Sequence, residues 1–305
     1  MNKENGPVIS LCIPTNGISR WVFPVLDSIY SQNVDESLFE VAVSDNGDNK
    51  EFEDKMIRYR DNHKNLKYKK SDSFLFHNQL DVLKIASGTY LKLVNHRGAF
   101  TDGSLQKMID IVRENSVKKP VMYFSNGTLD DVKYTELSFD HFVKRLSWRI
   151  SWTTGVGIWK EDYDRIPENV HVDEISPHSC ILFSERNKPE YLIYNWEYSR
   201  EVDTNCKDKG HYDIFKAFAV EEPNIALRLY LDGDITSATF KTVREGYKEL
   251  LKEFYWRFVV RKDPCSYDLS GFQDAMGIYY SKREIIAASY MTAPRRMVKK
   301  IRKCL

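Results

Sequence analysis

The stretch "GTYLKLVNHRGAF" (Gly88–Phe100) decides how this chain is read. "TYLKLV" (Thr89–Val94) has the length and mainly apolar character of a buried strand, and it runs straight into a polar loop, Asn95-His96-Arg97. Upstream, "FHNQLDVLKIASG" has helical spacing and is expected to close at Gly88, glycine being the usual stop. Further back, "VISLCIPT" (Val8–Thr15), "FEVAVSDNG" (Phe39–Gly47) and "LKYKKS" read as strands. Between them "SRWVFPVLDSIYSQN" and "EFEDKMIRYRDNH" read as helices, Pro24 falling near a first turn where proline is tolerated. Downstream, "TDGSLQKMIDIVREN" is a helix with Thr101 or Asp102 as its expected cap, and "PVMYFS" a fifth strand.

Strands alternating with helices predict an α/β fold with a mostly parallel sheet flanked by helices. Ligands of such sheets sit beyond the carboxyl ends of the strands. Thr15–Gly17, Asp45–Asp48 and Asn95–Phe100 therefore fall on one edge.

After about residue 130 the pattern changes. An aromatic-rich segment leads into the glycine-punctuated "TTGVGIWKEDYDRIP" (Thr153–Pro167). From Tyr212 onward three helical stretches dominate, ending in "SGFQDAMGIYYSKREIIAASY". The expected division is a site-bearing domain over 1–205 and a helical C-terminal region over 206–305. The 305 residues, 42% apolar, suffice for a large core, and a net charge of +1 gives no general attraction to nucleic acid;. Cys12, Cys180, Cys206, Cys265 and Cys304 are scattered and odd in number, which supports neither a disulfide framework nor a zinc site and fits a reducing cytoplasm. The opening "MNKENGP" does not read as a signal peptide;.

The first half resembles the family-2 glycosyltransferases of the GT-A fold, bacterial enzymes that use nucleotide-diphosphate sugars. Four passages over about residues 7–185 carry the likeness. "IPTNG" matches the end of that family's first strand with one residue dropped, and "VSDNGD" matches the end of its second. "ASGTYLKLV" matches a helix, glycine and strand. At the position of the family's metal-binding Asp-x-Asp, this chain has Asn95-His96-Arg97.

The resemblance implies that Asp45 accepts from a pyrimidine N3–H and that Pro14, Thr15, Asn16 and Asn46 hold base and ribose. The donor is then expected to be a UDP-sugar. A guanidinium has no acceptor atom and cannot be a metal ligand, but it can pair with phosphate oxygens bidentately. Arg97 is therefore expected to replace a metal's charge, with a protonated His96 as helper and no divalent ion required. Were Mn²⁺ or Mg²⁺ used, Asn95, His96 or Asp102 would be the candidates.

For inverting transfer a carboxylate must take the acceptor's proton. "NVHVDEISPHSCILF" matches the family's acidic region, which makes Asp173 the first choice and Glu174 the second. Glu161 and Asp162 read as a surface turn at a helix start. Trp152, Thr154, Gly155 and His178 are the expected acceptor contacts. The tail "TAPRRMVKKIRKCL" interleaves six basic residues with apolar ones, as in segments that lie on anionic bilayers. The implied activity is sugar transfer to a glycan or lipid-linked acceptor in surface polysaccharide synthesis, on the inner face of the cell membrane. The alternative is a non-catalytic GT-A-like protein that binds glycan or nucleotide, or partners an active transferase. A nucleotidyltransferase is disfavoured by the lack of a glycine-rich phosphate loop after the first strand.

Overall fold

The protein is described from a computed structural model covering residues 6–205 and 207–291. The basic tail lies outside these residues. The chain separates into two compact units, Met1–Phe139 with Arg149–Asp203, and Asp140–Trp148 with Thr204–Leu305.

Among the described residues the first unit holds ten strands: β1 (Ile9–Thr15), β2 (Phe39–Asp45), β3 (Leu66–Lys70), β4 (Tyr90–Leu93), β5 (Gly98–Phe100), β6 (Val121–Phe124), β7 (Lys133–Glu136), β8 (Gly157–Trp159), β9 (Tyr191–Tyr194) and β10 (Ser199–Glu201). Its main sheet has the order β3-β2-β1-β4-β8. The first four strands run parallel, and β8 runs antiparallel to β4. β2 is buried along its whole length and β1 at all but Pro14, as expected of parallel strands covered on both faces. The helices α1 (Ser19–Tyr30), α2 (Lys50–Asn62), α3 (Asn78–Ile85) and α4 (Ser104–Asn115) intervene. α1 buries Trp21, Val22, Val25, Leu26 and Ile29, the stripe its 3.6-residue period predicts.

From β1 the chain moves to β2 on one side, yet β4 takes the place on the other. The point between β1 and β4 is thus where strand order reverses, and the carboxyl ends there are the expected ligand crevice. Thr15 ends β1, and the loop Asn95–Arg97 follows β4.

Several elements differ from expectation. The fifth predicted strand, β6, joins a second sheet of order β6-β9-β7, and β5 pairs with β10. The outer place beside β4 goes to β8, and the reason lies in the glycines. A Cβ on Gly155 would fall 2.0 Å from a Tyr123 ring atom, and one on Gly157 2.6 Å from Tyr90. Gly155, expected as an acceptor contact, is buried under Tyr123 and serves packing. α3 stops at Ile85, before Gly88. The N-cap of α4 is Gly103 at φ 72°, with no side-chain cap, so neither Thr101 nor Asp102 caps it; Asp102 is exposed. Asp162 lies in a short helix, Lys160–Tyr163, but is buried rather than superficial. Lys188 reaches its carboxylate at 2.9 Å and Arg165 also pairs with it.

The second unit is helical. Ile214–Lys216 continues through a π turn into Glu222–Leu231, and Ser237–Phe254 follows, capped by the Thr236 hydroxyl. The Tyr247 hydroxyl donates to Glu222 at 2.8 Å in the interior. The third predicted helix is broken: Phe272–Ala275 is helical, and Gly277 at φ 106° turns the chain.

Candidate functional site

Thr15 and His96 meet across the switch point. Thr15 Oγ1 accepts from Gly17 N at 3.1 Å and lies 3.0 Å from His96 Nδ1. A hydroxyl has two acceptor sites besides its proton, so either Thr15 Oγ1 or His96 Nδ1 can be the donor of this bond. The imidazole sits edge-on to Trp21 with centroids 5.1 Å apart. Part of the residue's surface remains open, yet burial of the ring and the adjacent Arg97 charge both oppose a proton and hold its pKa down at about 3. The expectation of a protonated His96 is therefore corrected: the ring is neutral.

Arg97 is 9% exposed. Its Cζ lies 5.0 Å from the Trp21 ring centre, and Arg20 approaches the same ring at 5.1 Å. Its Nε and Nη1 are buried and make no hydrogen bond to the protein. Buried charges are normally paired, and among the described residues no carboxylate is placed against this one. The loop is held by its backbone: Asn95 Oδ1 accepts from Arg97 N at 2.9 Å, Gly98 N bonds Asn95 O, and Val202 N bonds Arg97 O.

This geometry bears on a divalent ion. Asn95 Oδ1 is engaged by a backbone N–H, His96 Nδ1 faces Thr15, and Asp102 lies exposed beyond β5. Among the described residues no group of three or more His, Cys, Asp or Glu could hold a metal. Hard cations want several oxygen ligands, and the residues at this loop do not form such a set.

Asp45 is fully buried at the end of β2. Oδ1 accepts from Gly47 N at 2.9 Å, while Oδ2 accepts from the Tyr68 hydroxyl at 2.9 Å and from Lys70 at 3.0 Å. The carboxylate thus fixes the 45–47 turn, with three donors on its roughly four acceptor sites. Pro14 is half-buried and Asn16 exposed. Gly47 packs its backbone against Asn16 so closely that a Cβ would lie 2.1 Å from Asn16 O. Asn46 Nδ2 donates to Ser73 O at 2.9 Å and Leu75 O at 3.0 Å.

Asn78, which opens α3, ties these loops together. Its Nδ2 donates to Thr15 O at 3.0 Å and Ser44 O at 2.8 Å, and its buried Oδ1 has no partner. The next residue, Gln79, has Oε1 3.1 Å from His178 Nδ1. His178 Nε2 lies 3.1 Å from Ile150 O, and Thr153 Oγ1 lies 3.4 Å from Nδ1. His178 is 1% exposed, and burial pushes its pKa down to about 4. It is a core histidine rather than an accessible acceptor contact. Beside it, Ser179 Oγ donates to Asp173 Oδ2 at 3.2 Å, and His171 Nε2 lies 3.5 Å from Asp173 Oδ1. A chain of contacts thus links Thr15 through α3 to Asp173. Glu174 is exposed. Trp152 is half-buried, where its backbone carbonyl accepts from Gly155 N at 3.0 Å.

Thr154 shares its hydroxyl with Tyr198 at 3.1 Å. Beneath it lies Lys92, fully buried, donating to Leu93 O at 2.8 Å and to Thr154 O, with the rings of Phe124 and Tyr198 5.3 and 5.5 Å away. Burial lowers its pKa from 10.5 to about 7. The burden on stability is therefore full below pH 7 and fades as pH rises toward 10.5. Lys92→Met is expected to stabilise the protein near pH 6 by a few kcal/mol, on the order of ~1.4 per pKa unit, and by progressively less toward pH 10. Urea melts at four pH values would show this; a pH-independent difference would contradict it.

Sequence reasoning missed Trp21, Asn78 and Lys92. A lysine inside an otherwise apolar strand was the visible signal for Lys92. Trp21 and Asn78 read as ordinary helix positions.

The sequence matches no family profile and no curated protein. Solved structures do resemble the fold. The mannosyltransferase PcManGT from Pyrobaculum calidifontis, in complex with GDP-Man and Mn²⁺, superposes with a TM-score of 0.56 at 14% identity, covering 98% of this chain and 83% of that one. S. aureus TarS 1-349 in complex with UDP-GlcNAc gives 0.53 at 15%, covering 89% and 80%. Against the longer TarS chain the score is 0.50 at 16% identity, and this chain spans 43% of its length. The fold is GT-A-like, that of glycosyltransferases.

Proposed function

We propose that this chain is a glycosyltransferase that moves a sugar from a nucleotide-diphosphate donor to a glycan or lipid-linked acceptor. The observation that carries the reading is Arg97, a buried guanidinium with two unpartnered N–H-bearing nitrogens at the reversal point of the sheet. A diphosphate is the anion such a fork suits. Two neighbours of the same fold are complexes with UDP-GlcNAc and GDP-Man, which supports a nucleotide-sugar as the ligand.

In this reading an Asp173 oxygen takes the proton of the acceptor hydroxyl, whose oxygen attacks the anomeric carbon. The bond from that carbon to the diphosphate breaks, and the nucleotide diphosphate leaves with the electron pair. Arg97 and, in its Nε2–H tautomer, His96 meet the charge that builds there. The step inverts the anomeric centre. This reading assigns Thr154 and Trp152 to the acceptor side. Surface polysaccharide synthesis is the process such an acceptor serves.

A thermal-shift screen of UDP- and GDP-sugars in EDTA tests the reading. A ligand at a hundredfold excess over its dissociation constant raises apparent stability by ~2.7 kcal/mol. No shift with any nucleotide-sugar, with or without Mn²⁺, would overturn it and favour the non-catalytic alternative. Among the described residues no helix is long and apolar enough to cross a membrane. Attachment to an anionic bilayer is assigned to the 295–305 tail. Its deletion is expected to abolish binding to phosphatidylserine vesicles while leaving the melt unchanged, each basic residue near such a surface contributing ~1 kcal/mol. Equal binding by both forms would contradict it.

A further inference from the structure

Resting on the nucleotide-diphosphate reading, we propose that the turn Ser73–Asn78 is the base-recognition element: Phe74 stacks on the nucleobase and Asn78 Oδ1 accepts a ring N–H.

The turn runs over the carboxyl ends of β1 and β2. Asn46 donates to the carbonyls of Ser73 and Leu75, and Asn78 donates to those of Thr15 and Ser44. Residue 74 is therefore fixed at the edge where the donor loops gather. Phe74 is 74% exposed although it is a large apolar residue. Leu75 adopts φ 44°, a left-handed conformation that is unfavourable for a residue with a Cβ. Backbone strain of this kind persists where the surroundings impose it and gathers at ligand clamps. Here the imposed result is an aromatic ring turned out to solvent beside the site.

Asn78 is an independent observation. It is 2% exposed, and two carbonyls on its amide nitrogen settle which atom is oxygen. Oδ1 is therefore a true acceptor, and it has no donor. The Asp45 carboxylate is already held by Gly47, Tyr68 and Lys70. Asn78 Oδ1 is the acceptor with no donor at all. An acceptor selects bases with a ring N–H, uracil N3–H or guanine N1–H, against cytosine, whose N3 has none.

Titrations of UDP, GDP, CDP and inorganic pyrophosphate into the wild type and Phe74→Ala test this. The wild type is expected to bind UDP or GDP well above CDP. Phe74→Ala should weaken the preferred nucleotide roughly tenfold, the worth of one base–aromatic stack, and leave pyrophosphate unchanged. Phe74→Trp should restore the loss. Unchanged nucleotide binding by Phe74→Ala, or CDP bound as tightly as UDP and GDP, overturns the inference while the proposed function stands. Failure of the wild type to bind any of the nucleotides would overturn both.

Discussion

Arg97→Met is expected to fold at least as stably as the wild type and to turn over its nucleotide-sugar roughly 10²–10³-fold more slowly, the usual loss when one preorganised donor to a developing negative charge is removed. The two effects have one cause. A guanidinium with two buried unpartnered nitrogens and no carboxylate against it burdens the fold;, and replacing a poorly compensated buried ion by an apolar side chain of similar volume is commonly neutral or stabilising. Its contact with Trp21 recovers part of that burden, cation–π pairs contributing about 0.5–2 kcal/mol;. In the proposed function an anion completes it. Arg97→Lys should restore little, since a point charge lacks the fork. Chemical denaturation and nucleotide-diphosphate release, measured on the same preparations, check both halves. A variant that is less stable and fully active would contradict the account.

Asp173→Asn is expected to leave nucleotide binding intact and lower turnover by roughly 10²–10⁴-fold, the range for a general base. The substitution keeps the size of the side chain and can still meet Ser179 Oγ, which donates to the carboxylate at 3.2 Å. The exposed neighbour Glu174 provides the comparison. Glu174→Gln should retain activity. Should Glu174→Gln abolish turnover while Asp173→Asn does not, the base is Glu174; activity in both would remove the base from this segment.

The α/β layout was legible because the apolar runs of β1, β2 and β4 and the stripes of α1 and α4 follow simple periods, and local period reflects the face that packing will bury. The second sheet was not legible. β6 pairs with β9, about seventy residues away, and no local pattern encodes such a partner. The same holds for Gly155 and Gly157, whose reason lies in the rings of Tyr123 and Tyr90. At the site, the gathering of Thr15, Asn46 and Asn95–Arg97 followed from strand ends alone. What the side chains do there did not. His96 is neutral because Arg97 and a buried setting oppose its proton, His178 faces Gln79 and Ile150 in the core, and Asp45 is held by Tyr68 and Lys70. Each depends on a tertiary partner, as does Asn78, which sequence spacing marks only as a helix start.

The central claim is that Arg97 stands where a metal would neutralise the nucleotide diphosphate. Calorimetric titration of UDP and GDP in EDTA, with the wild type and Arg97→Met, tests it most directly. The account predicts that the wild type binds one of them in EDTA, that Arg97→Met does not, and that Mn²⁺ changes neither result. Binding absent in EDTA and restored by Mn²⁺ in both proteins would contradict it.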